Sequence, residues 1–304
     1  MRVFVTGASG WIGSAVVPEL LAAGHTVVGL ARSDSSAAAI RAAGAEVHRG
    51  SLDDVASLRA GADSADGVIH LAFDHGFMTA PEGHGDIASA GSTERAAVQG
   101  LADELEGSDR PLLIAAGVAF VAPGRVVTED DASPAVGEQA PRGGAENLAL
   151  EYAARGVRSV SVRFSPTVHG AGDSGFTAVL AGVARRRGVA GYLGDGANRW
   201  PAVHRSDAAR LVRLALESAP AGSVVHAVAE EGIAARDIAA ALGAALGVPT
   251  RSVPHEEAAE HFGWIGMFFG ADMPASARLT RERLGWAPTG PGLLDDVAAG
   301  HYPG

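Results

Sequence analysis

The chain contains no cysteine among its 304 residues, which excludes disulfide bonds and thiolate metal sites. It also contains no lysine, so all 24 basic residues are arginine, and mechanisms that need an ammonium side chain are excluded. The net charge of −11 argues against a nucleic-acid partner, because phosphate binding needs a concentrated basic surface. The histidines and carboxylates show no metal-ligand spacing, so no metal is expected.

Long apolar runs are missing as well. Residues 1–5 form an apolar run that is too short for a signal-peptide core, and residues 262–269 are too few to cross a bilayer. We therefore expect a cytoplasmic protein that does not use a membrane. Residues 262–269 form either a pocket wall that favours an apolar or aromatic substrate, or plain packing.

The chain does contain a regular alternation of short β-branched runs and Ala-rich helical stretches. This alternation predicts βαβ units and a parallel sheet. Nearly every predicted strand is apolar on both faces, as expected when helices cover both sides of the sheet. The predicted strands are residues 2–6, 26–30, 46–49, 67–72, 111–116 and 159–164. The predicted helices between them are residues 12–23, 36–43, 55–60, 93–105 and 144–155.

A glycine-rich turn lies between the first predicted strand and the first predicted helix. Gly7 permits the tight turn, Gly10 lets the backbone approach a pyrophosphate, and Gly13 lets helix and strand pack closely. The start of the helix offers free N–H groups to the anion. The turn therefore predicts a dinucleotide site in a doubly wound, Rossmann-type α/β domain. The predicted cofactor contacts here are Gly7, Ser9, Gly10, Trp11, Ile12 and Gly13.

The pattern loosens beyond residue 164. Glycine-rich segments there alternate with predicted helices at residues 177–187, 207–218, 235–246 and 255–261. We predict a dinucleotide-binding domain over residues 1–165. Residues 166–304 are predicted to form mostly a smaller substrate-binding lobe, with some segments returning to the first domain.

Several motifs resemble one known family. The spacing Gly-x-x-Gly-x-x-Gly, followed by Val68-Ile69-His70-Leu71-Ala72, resembles the extended short-chain dehydrogenases/reductases, in particular their NAD(P)-dependent epimerase/dehydratase branch. Further matches are Arg163-Phe164-Ser165-Pro166-Thr167-Val168-His169-Gly170, Gly194-Asp195-Gly196-Ala197-Asn198 and Val203-His204-Arg205-Ser206-Asp207-Ala208-Ala209. The resemblance implies that Ser51 and Leu52 flank the adenine of the cofactor. It also implies that Leu71, Ala72 and Phe73 lie along the pyrophosphate and the nearby ribose, and that Pro166 and Val168 lie beside the nicotinamide.

The end of the second predicted strand indicates which dinucleotide binds. An acidic residue there would favour NAD, but the strand continues into Ala31-Arg32-Ser33. A guanidinium and a hydroxyl suit a 2′-phosphate, so NADP(H) is expected and NAD(H) less so. Asp34 lies slightly beyond and blurs the choice. Alternatively, Arg32 is an ordinary surface arginine.

The family's catalytic Tyr-x-x-x-Lys pair is absent. The corresponding positions hold Arg142 and Glu146, and the fifth predicted strand ends in Ala115-Ala116-Gly117-Val118, without the usual hydroxyl. Tyr152 lies too far along the helix to replace the tyrosine. Arg142 and Glu146 form either an i,i+4 ion pair or a site in which Arg142 is a fixed positive charge near the nicotinamide ribose or the substrate oxygen.

Other polar residues are candidates for acid–base catalysis. His75 follows the fourth predicted strand at the edge where ligands bind, and His169 follows the sixth. With Arg142 they are the predicted catalytic residues, although both histidines have ordinary structural alternatives. The predicted substrate contacts are Asp74, Phe77, Ser165 and Trp200, of which Trp200 is alternatively a packing residue. His48, His70, His204 and Asp207 are expected to be structural.

Three functions follow from these residues. The first is an NADP(H)-dependent oxidoreductase that acts on a small, largely uncharged carbonyl or alcohol with a non-standard proton donor. The second is a redox sensor or scaffold that binds NADP(H) without catalysis. The third, a sugar-nucleotide epimerase or dehydratase, is disfavoured because those reactions also rely on the missing pair. We expect a monomer or a homodimer, the latter through the predicted helices at residues 93–105 and 144–155.

Overall fold

The computed structural model describes residues 1–74 and 87–303. The chain divides into two compact units, neither of which is continuous in sequence. Unit 1 consists of Met1–Ala116, Ala132–Arg163 and Ala209–Val225. Unit 2 consists of Gly117–Asp131, Phe164–Ala208 and His226–Gly304.

Among the described residues, the central sheet has seven strands. They are β1 (Arg2–Thr6), β2 (Thr26–Ala31), β3 (Glu46–Arg49), β4 (Gly67–His70), β5 (Pro111–Gly117), β6 (Arg158–Phe164) and β10 (Ser223–Ala227). Their order is β10-β6-β5-β4-β1-β2-β3, and the pairs among β1 to β5 are parallel. Val3, Phe4 and Val5 of β1 are fully buried, because side chains pack on both faces of the sheet. The predicted doubly wound α/β fold is confirmed.

Helices supply the rest of the core of unit 1. They are α1 (Gly13–Ala22), α2 (Asp34–Ala42), α3 (Val55–Asp63), α4 (Ile87–Leu105) and α5 (Ala145–Glu151). Leu58 of α3 and Leu101 of α4 pack in one cluster with Phe4. Helix α4 begins earlier than the predicted residue 93, and within its first turns the Ser92 hydroxyl donates to the Ala88 carbonyl at 3.0 Å.

The predicted helix over residues 144–155 is shorter than expected. Pro141–Gly144 forms a tight turn in which Arg142, Gly143 and Gly144 have φ values of +55°, +60° and +61°. We call these four residues the Arg142 turn. A left-handed backbone cannot continue an α-helix, so α5 begins only at Ala145. Tyr152–Arg155 forms a 3₁₀ turn after it.

Unit 2 contains two small sheets. Strands β7 (Thr167–His169), β9 (Arg199–His204) and β11 (Glu230–Ala234) form one sheet in the order β11-β9-β7. Strands β8 (Ala190–Leu193) and β12 (Thr250–Val253) form a parallel pair.

The helices of unit 2 follow the second half of the chain. They are α6 (Phe176–Arg187), α7 (Arg205–Ser218), which continues into unit 1, α8 (Ala235–Leu246), α9 (Ala258–Phe262), α10 (Ile265–Phe269), α11 (Arg278–Leu284) and α12 (Leu293–Ala298). Phe262, Ile265 and Phe269 are buried in the core of this unit, whereas Trp264 and Met267 are exposed. Residues 262–269 therefore comprise the last residue of α9, a two-residue turn and α10, and they contribute to packing on one side. None of the helices in the described ranges is long and apolar enough to cross a membrane.

Candidate functional site

Two glycines in the turn after β1 have no room for a side chain. Gly7 has a φ of +70°, and a Cβ on it would lie 2.8 Å from the backbone nitrogen of Ala72. A Cβ on Gly13 would lie 2.0 Å from the carbonyl oxygen of Gly7. Gly10 closes the turn by donating its N–H to the same oxygen at 2.9 Å. The tight turn predicted for Gly7 is therefore confirmed, whereas Gly13 lies against the backbone of the same turn, and its predicted role in helix–strand packing stays a prediction.

The start of α1 is open to an anion. In the described first turn, no side-chain hydrogen bond caps the helix at Ile12 and no acidic residue is present. Ser9 and Gly10 are exposed just before it, and Trp11 and Ile12 are half-buried. The positive end of the helix dipole fits a dinucleotide's bridging phosphates. The individual contacts of these residues with a cofactor stay predictions.

His70, at the end of β4, is a core histidine. Its ring is buried, and Nδ1 lies 2.9 Å from the hydroxyl of Thr6. Burial, and to a smaller degree the charge of Arg142, lowers the pKa of His70 to about 4. The ring is therefore neutral at physiological pH. The buried position predicted for His70 is confirmed, although its Nε2 has no hydrogen-bond partner among the described residues.

The residues after β4 lie beside the glycine turn. Ala72 donates its N–H to the Thr6 hydroxyl at 3.3 Å. Leu71, Ala72 and Phe73 are half-buried, and Asp74 is exposed. The predicted catalytic His75 and the predicted substrate contact Phe77 lie outside the described residues.

The edge after β2 carries the residues predicted to bind a 2′-phosphate. Arg32 is exposed, and the hydroxyl of Ser33 caps α2 by accepting the N–H of Ser36 at 3.1 Å. Asp34 forms an ion pair with Arg49, the last residue of β3. Asp34, whose negative charge made the choice between NAD and NADP ambiguous, is therefore neutralised by the guanidinium of Arg49 at the same edge.

Ser51 and Leu52, expected near the adenine, follow β3. Both are half-buried, and Leu52 packs against the core of unit 1. The backbone N–H of Asp53, the side chain of Ser51 and the charge of Arg32 lower the pKa of the Asp53 carboxyl. Arg32 therefore has an acid in its surroundings, so its charge is not isolated.

Arg142 does not pair with Glu146, so the i,i+4 interpretation is wrong. That rule requires a continuous helix, and the left-handed Arg142 turn precedes α5. The guanidinium of Arg142 instead binds both carboxylate oxygens of Glu94 in α4, with Nε 2.9 Å from Oε2 and Nη2 on Oε1. Its Cζ lies 4.5 Å from the centre of the Phe73 ring. Arg142 is therefore held at the end of β4.

Glu146 has a structural partner of its own. One of its oxygens accepts the Nε–H of Arg163 at 2.6 Å and the hydroxyl of Ser161 at 2.8 Å. Arg163 is fully buried in β6, and the Glu146 side chain is 11% exposed. The position at which the family resemblance expects lysine therefore holds the counter-ion of a buried arginine.

The phenols of Tyr152 and Tyr302 have carboxylate partners. Tyr152 donates its hydroxyl to Asp103, and Tyr302 donates to Asp173 at 2.9 Å. Burial together with these neighbouring carboxylates raises the pKa of both phenols. Neither is arranged as the family's catalytic acid, in agreement with the expectation for Tyr152.

His169 lies in the interior of unit 2. The ring is fully buried, and its Nδ1 lies 2.6 Å from a carboxylate oxygen of Asp296. Pro166 and Val168, expected beside the nicotinamide, are half-buried in the same segment. A catalytic role for His169 stays a prediction that its burial does not favour.

The other predicted contacts in unit 2 are packed. Ser165 is buried and donates its hydroxyl to the Ala227 carbonyl at 2.9 Å. Trp200 is 1% exposed, and its indole N–H donates to the Phe268 carbonyl at 3.1 Å. The structure therefore favours the packing alternative for Trp200, and its contact with substrate stays a prediction.

Asp207 supports the chain after α11. Its carboxylate accepts the backbone N–H groups of Thr289 at 3.0 Å and Gly290 at 2.8 Å, and its own carbonyl accepts the indole N–H of Trp286. The structural role expected for Asp207 is confirmed.

The sequence interpretation missed Glu94. It lies on the buried stripe of α4 with Ala90, Ala97 and Leu101, at helical spacing, and is 2% exposed. A single carboxylate on an apolar stripe was a readable signal, because buried acids are rare unless they are paired.

Known proteins resemble the chain along most of its length. A model described as the NAD dependent epimerase/dehydratase family matches residues 3–97. The uncharacterised protein C2A9.02 of Schizosaccharomyces pombe is 45% identical over 303 residues, which cover 99% of this chain and 100% of that protein.

Two more distant relatives are named as reductases. The 2'-dehydrokanamycin reductase of Streptomyces kanamyceticus is 30% identical and matches 86% of this chain and 71% of its own length. The 4-hydroxy-2-methyl-3-oxo-4-farnesyl-3,4-dihydroquinoline-1-oxide ketoreductase of Stigmatella aurantiaca is 28% identical and matches 98% of this chain and 90% of its own length.

A solved structure shares the fold. DesIV, a dTDP-glucose 4,6-dehydratase from Streptomyces venezuelae with NAD and TYD bound, matches with a TM-score of 0.76 at 20% identity, over 99% of this chain and 96% of that one. The glycine turn, the sheet and the relatives point to one assignment. The chain belongs to the NAD(P)-dependent epimerase/dehydratase family of extended short-chain dehydrogenases/reductases, and it lacks that family's Tyr-x-x-x-Lys pair.

Proposed function

We propose that this protein is an NADPH-dependent reductase of a small, largely uncharged carbonyl compound and that it works without a tyrosine. One observation carries the proposal. The glycine turn is intact, and Arg142 is fixed next to it, since Gly7 contacts Ala72 and the following residue, Phe73, stacks on the guanidinium. The two relatives named as reductases support the direction of the reaction.

Arg142 has donors left for a substrate. Its Nε and Nη2 are bound to Glu94, while Nη1 has no hydrogen bond to a residue in the described ranges, and the side chain is 35% exposed. A bound nicotinamide would supply the hydride of a carbonyl reduction. The N–H groups of Arg142 then stabilise the negative charge that develops on the carbonyl oxygen.

Arginine cannot supply the proton that completes the reduction, because it stays protonated in proteins. We propose that the alkoxide takes its proton from a water molecule, which leaves hydroxide. The rate of this route has no dependence on a phenol. It is consistent with a chain in which Tyr152 is bound to Asp103.

The preference for NADPH over NADH rests on the edge after β2. Arg32 is exposed there, Arg49 neutralises Asp34, and the hydroxyl of Ser33 lies at the start of α2. Guanidinium groups and a helix N-terminus both favour a phosphate. We expect the 2′-phosphate to bind at this edge.

Hydride transfer from NADPH to a panel of neutral ketones and aldehydes tests the proposal directly. We expect NADPH oxidation that depends on the ketone, with kcat/KM for NADPH at least tenfold above that for NADH. Arg32→Ala should lower this ratio by about tenfold, since one charge-assisted contact contributes roughly 1.5 kcal/mol. NADPH that binds with no turnover on any carbonyl would instead support a sensor or scaffold.

A further inference from the structure

We infer that Glu94 is the positioning residue that fixes Arg142 as a charge-balanced hydrogen-bond donor, so that the site accepts a neutral carbonyl and discriminates against substrates with a carboxylate. This inference rests on the proposed function. It adds a residue to the site and gives the physical reason why a neutral carbonyl is preferred to one that carries a carboxylate.

One turn of α4 holds the Arg142 turn at three points. A Cβ on Gly91 would lie 2.7 Å from the backbone nitrogen of Gly143, so the two backbones touch. Glu94 binds the Arg142 guanidinium through both oxygens. Arg95 donates its Nη1–H to the Gly143 carbonyl at 2.9 Å. Spaced i, i+3 and i+4, these residues form one face of α4, which fixes both the backbone and the side chain of the turn.

The arrangement has a conformational cost. Arg142 has a φ of +55°, a left-handed backbone conformation that a non-glycine residue rarely adopts and that strains the chain. Residues held in this way cluster at functional sites, because the surrounding structure must enforce them. Gly143 and Gly144, which follow Arg142, adopt the same left-handed backbone. A glycine at position 142 would likewise adopt it without strain. The chain has an arginine there instead.

Burial of Glu94 is a second cost. The carboxyl is 2% exposed, and this burial raises its pKa, while the neighbouring Arg142 guanidinium opposes the shift. Its stripe on α4 is otherwise filled by residues such as Ala97 and Leu101. An apolar side chain would suit this stripe, since replacing a buried ion pair by apolar groups is often neutral or stabilising. Packing of α4 therefore does not account for Glu94.

The charge balance determines which substrates fit. Glu94 and Arg142 together carry no net charge, yet Nη1 still presents hydrogen-bond donors. A neutral carbonyl gains these hydrogen bonds as its oxygen becomes negative. A substrate that already carries a carboxylate also meets the Glu94 charge at short range and gains less.

Chemical rescue tests the role of Glu94. Arg142→Gly suits the left-handed backbone and removes the guanidinium, and it should lower kcat/KM for a neutral ketone by about 10²-fold to 10³-fold. Guanidinium chloride at low millimolar concentration should raise kcat/KM of this variant at least tenfold above the value measured in sodium chloride at equal ionic strength. It should also raise the melting temperature of this variant by about 2 °C, because it binds the folded protein.

The double variant Arg142→Gly/Glu94→Gln is the matched comparison. It lacks the carboxylate that would bind free guanidinium, so neither rescue nor a change in melting temperature is expected. Arg155→Gly controls for the loss of a surface arginine, since Arg155 likewise pairs with a glutamate, Glu106, and stacks on an aromatic ring, Tyr152, but is 44% exposed. Its activity should remain unchanged.

Substrate selectivity gives a readout that a structural role would not change. The wild-type protein should prefer acetophenone to phenylglyoxylate, which has the same ring and an added carboxylate. Glu94→Gln leaves Arg142 with an unbalanced charge, so the ratio of kcat/KM values should shift towards phenylglyoxylate by at least tenfold. Equal loss on both substrates, or rescue that survives in the double variant, would overturn the role of Glu94 and leave the proposed function standing. Absence of turnover in the wild-type protein, with guanidinium still binding to Arg142→Gly, would overturn the proposed function and the substrate class.

Discussion

Two segments of unit 1 differ in how they relate to the family pattern. In the glycine turn after β1, the pattern is retained, and backbone contacts leave no room for a side chain at Gly7 or Gly13. In the segment from Arg142 to Glu146, the pattern is replaced, and each new residue has a new partner, Glu94 for one and Arg163 for the other.

The contrast separates two demands on a cofactor protein. Phosphate binding relies on backbone geometry, which tolerates little change. The reacting end relies on side chains, which can be exchanged if their charges are balanced locally. The substituted segment is therefore a rebuilt site with its own ion pairs, and the following predictions test the two halves of this comparison.

The largest effect on stability is expected at Glu146, in the segment from Arg142 to Glu146. Glu146→Gln leaves the fully buried Arg163 without its counter-ion, which should lower the free energy of unfolding by about 3–5 kcal/mol. Chemical denaturation measures the loss. Glu106→Gln breaks an exposed arginine pair and should cost less than about 1 kcal/mol. Equal losses in both variants would mean that burial of Arg163 is not what makes Glu146 necessary.

The next effect concerns His70, the buried histidine at the end of β4. Its ring forms a hydrogen bond with the hydroxyl of Thr6, which precedes the glycine turn, and the charge of Arg142 helps to lower its pKa. Its pKa is lowered from 6.5 to about 4, so the unfolded chain takes up a proton before the folded protein does. Stability is complete above about pH 6.5 and should fall by roughly 3 kcal/mol as the pH drops to about 4.

Urea denaturation between pH 4 and 8 measures this dependence. His70→Asn retains a polar atom near Thr6 but cannot titrate. The difference in unfolding free energy between wild type and variant should therefore vary with pH between 4 and 6.5 and be constant above. A constant difference across the whole range would show that His70 is protonated as easily in the folded protein as in the unfolded chain.

A smaller effect is expected at Gly13, in the glycine turn, where the family pattern is retained. Gly13→Ala places a Cβ 2.0 Å from the Gly7 carbonyl oxygen, so the turn must move, at a cost of about 1–3 kcal/mol. Because the same turn would bind the pyrophosphate, the Kd for NADPH should rise at least tenfold by calorimetry. Gly182→Ala, in the middle of α6 and facing only the flexible end of Arg186, should leave both values nearly unchanged. Tight NADPH binding by Gly13→Ala would place the phosphates elsewhere.

The sequence alone predicted the central sheet and the turn because both depend on local pattern. Apolar strands and glycine spacing are short-range features, and β1 to β5 occur close to their expected positions. The same holds for His70, whose place inside an apolar strand made a buried role the expectation. The bounds of α4 were less accurate, because Ile87–Leu105 opens with Ala, Gly and Ser residues that carry little periodicity.

The partners at the rebuilt site could not be predicted in this way. Glu94 and Arg142 are 48 residues apart, and Glu146 and Arg163 are 17 apart, so neither pair follows from helical spacing. The i,i+4 rule misled because it assumed that residue 142 was helical. Gly143 and Gly144 were the signal against it, since two adjacent glycines weaken a helix start and permit left-handed backbone.

The Glu146–Arg163 pair also limits how the missing lysine could be engineered into this chain. A single substitution that placed lysine at 146 would bring two cations together in the dry interior of unit 1 and leave both without a counter-ion. A variant designed to carry the family's pair would therefore have to replace Arg163 together with residues 142 and 146.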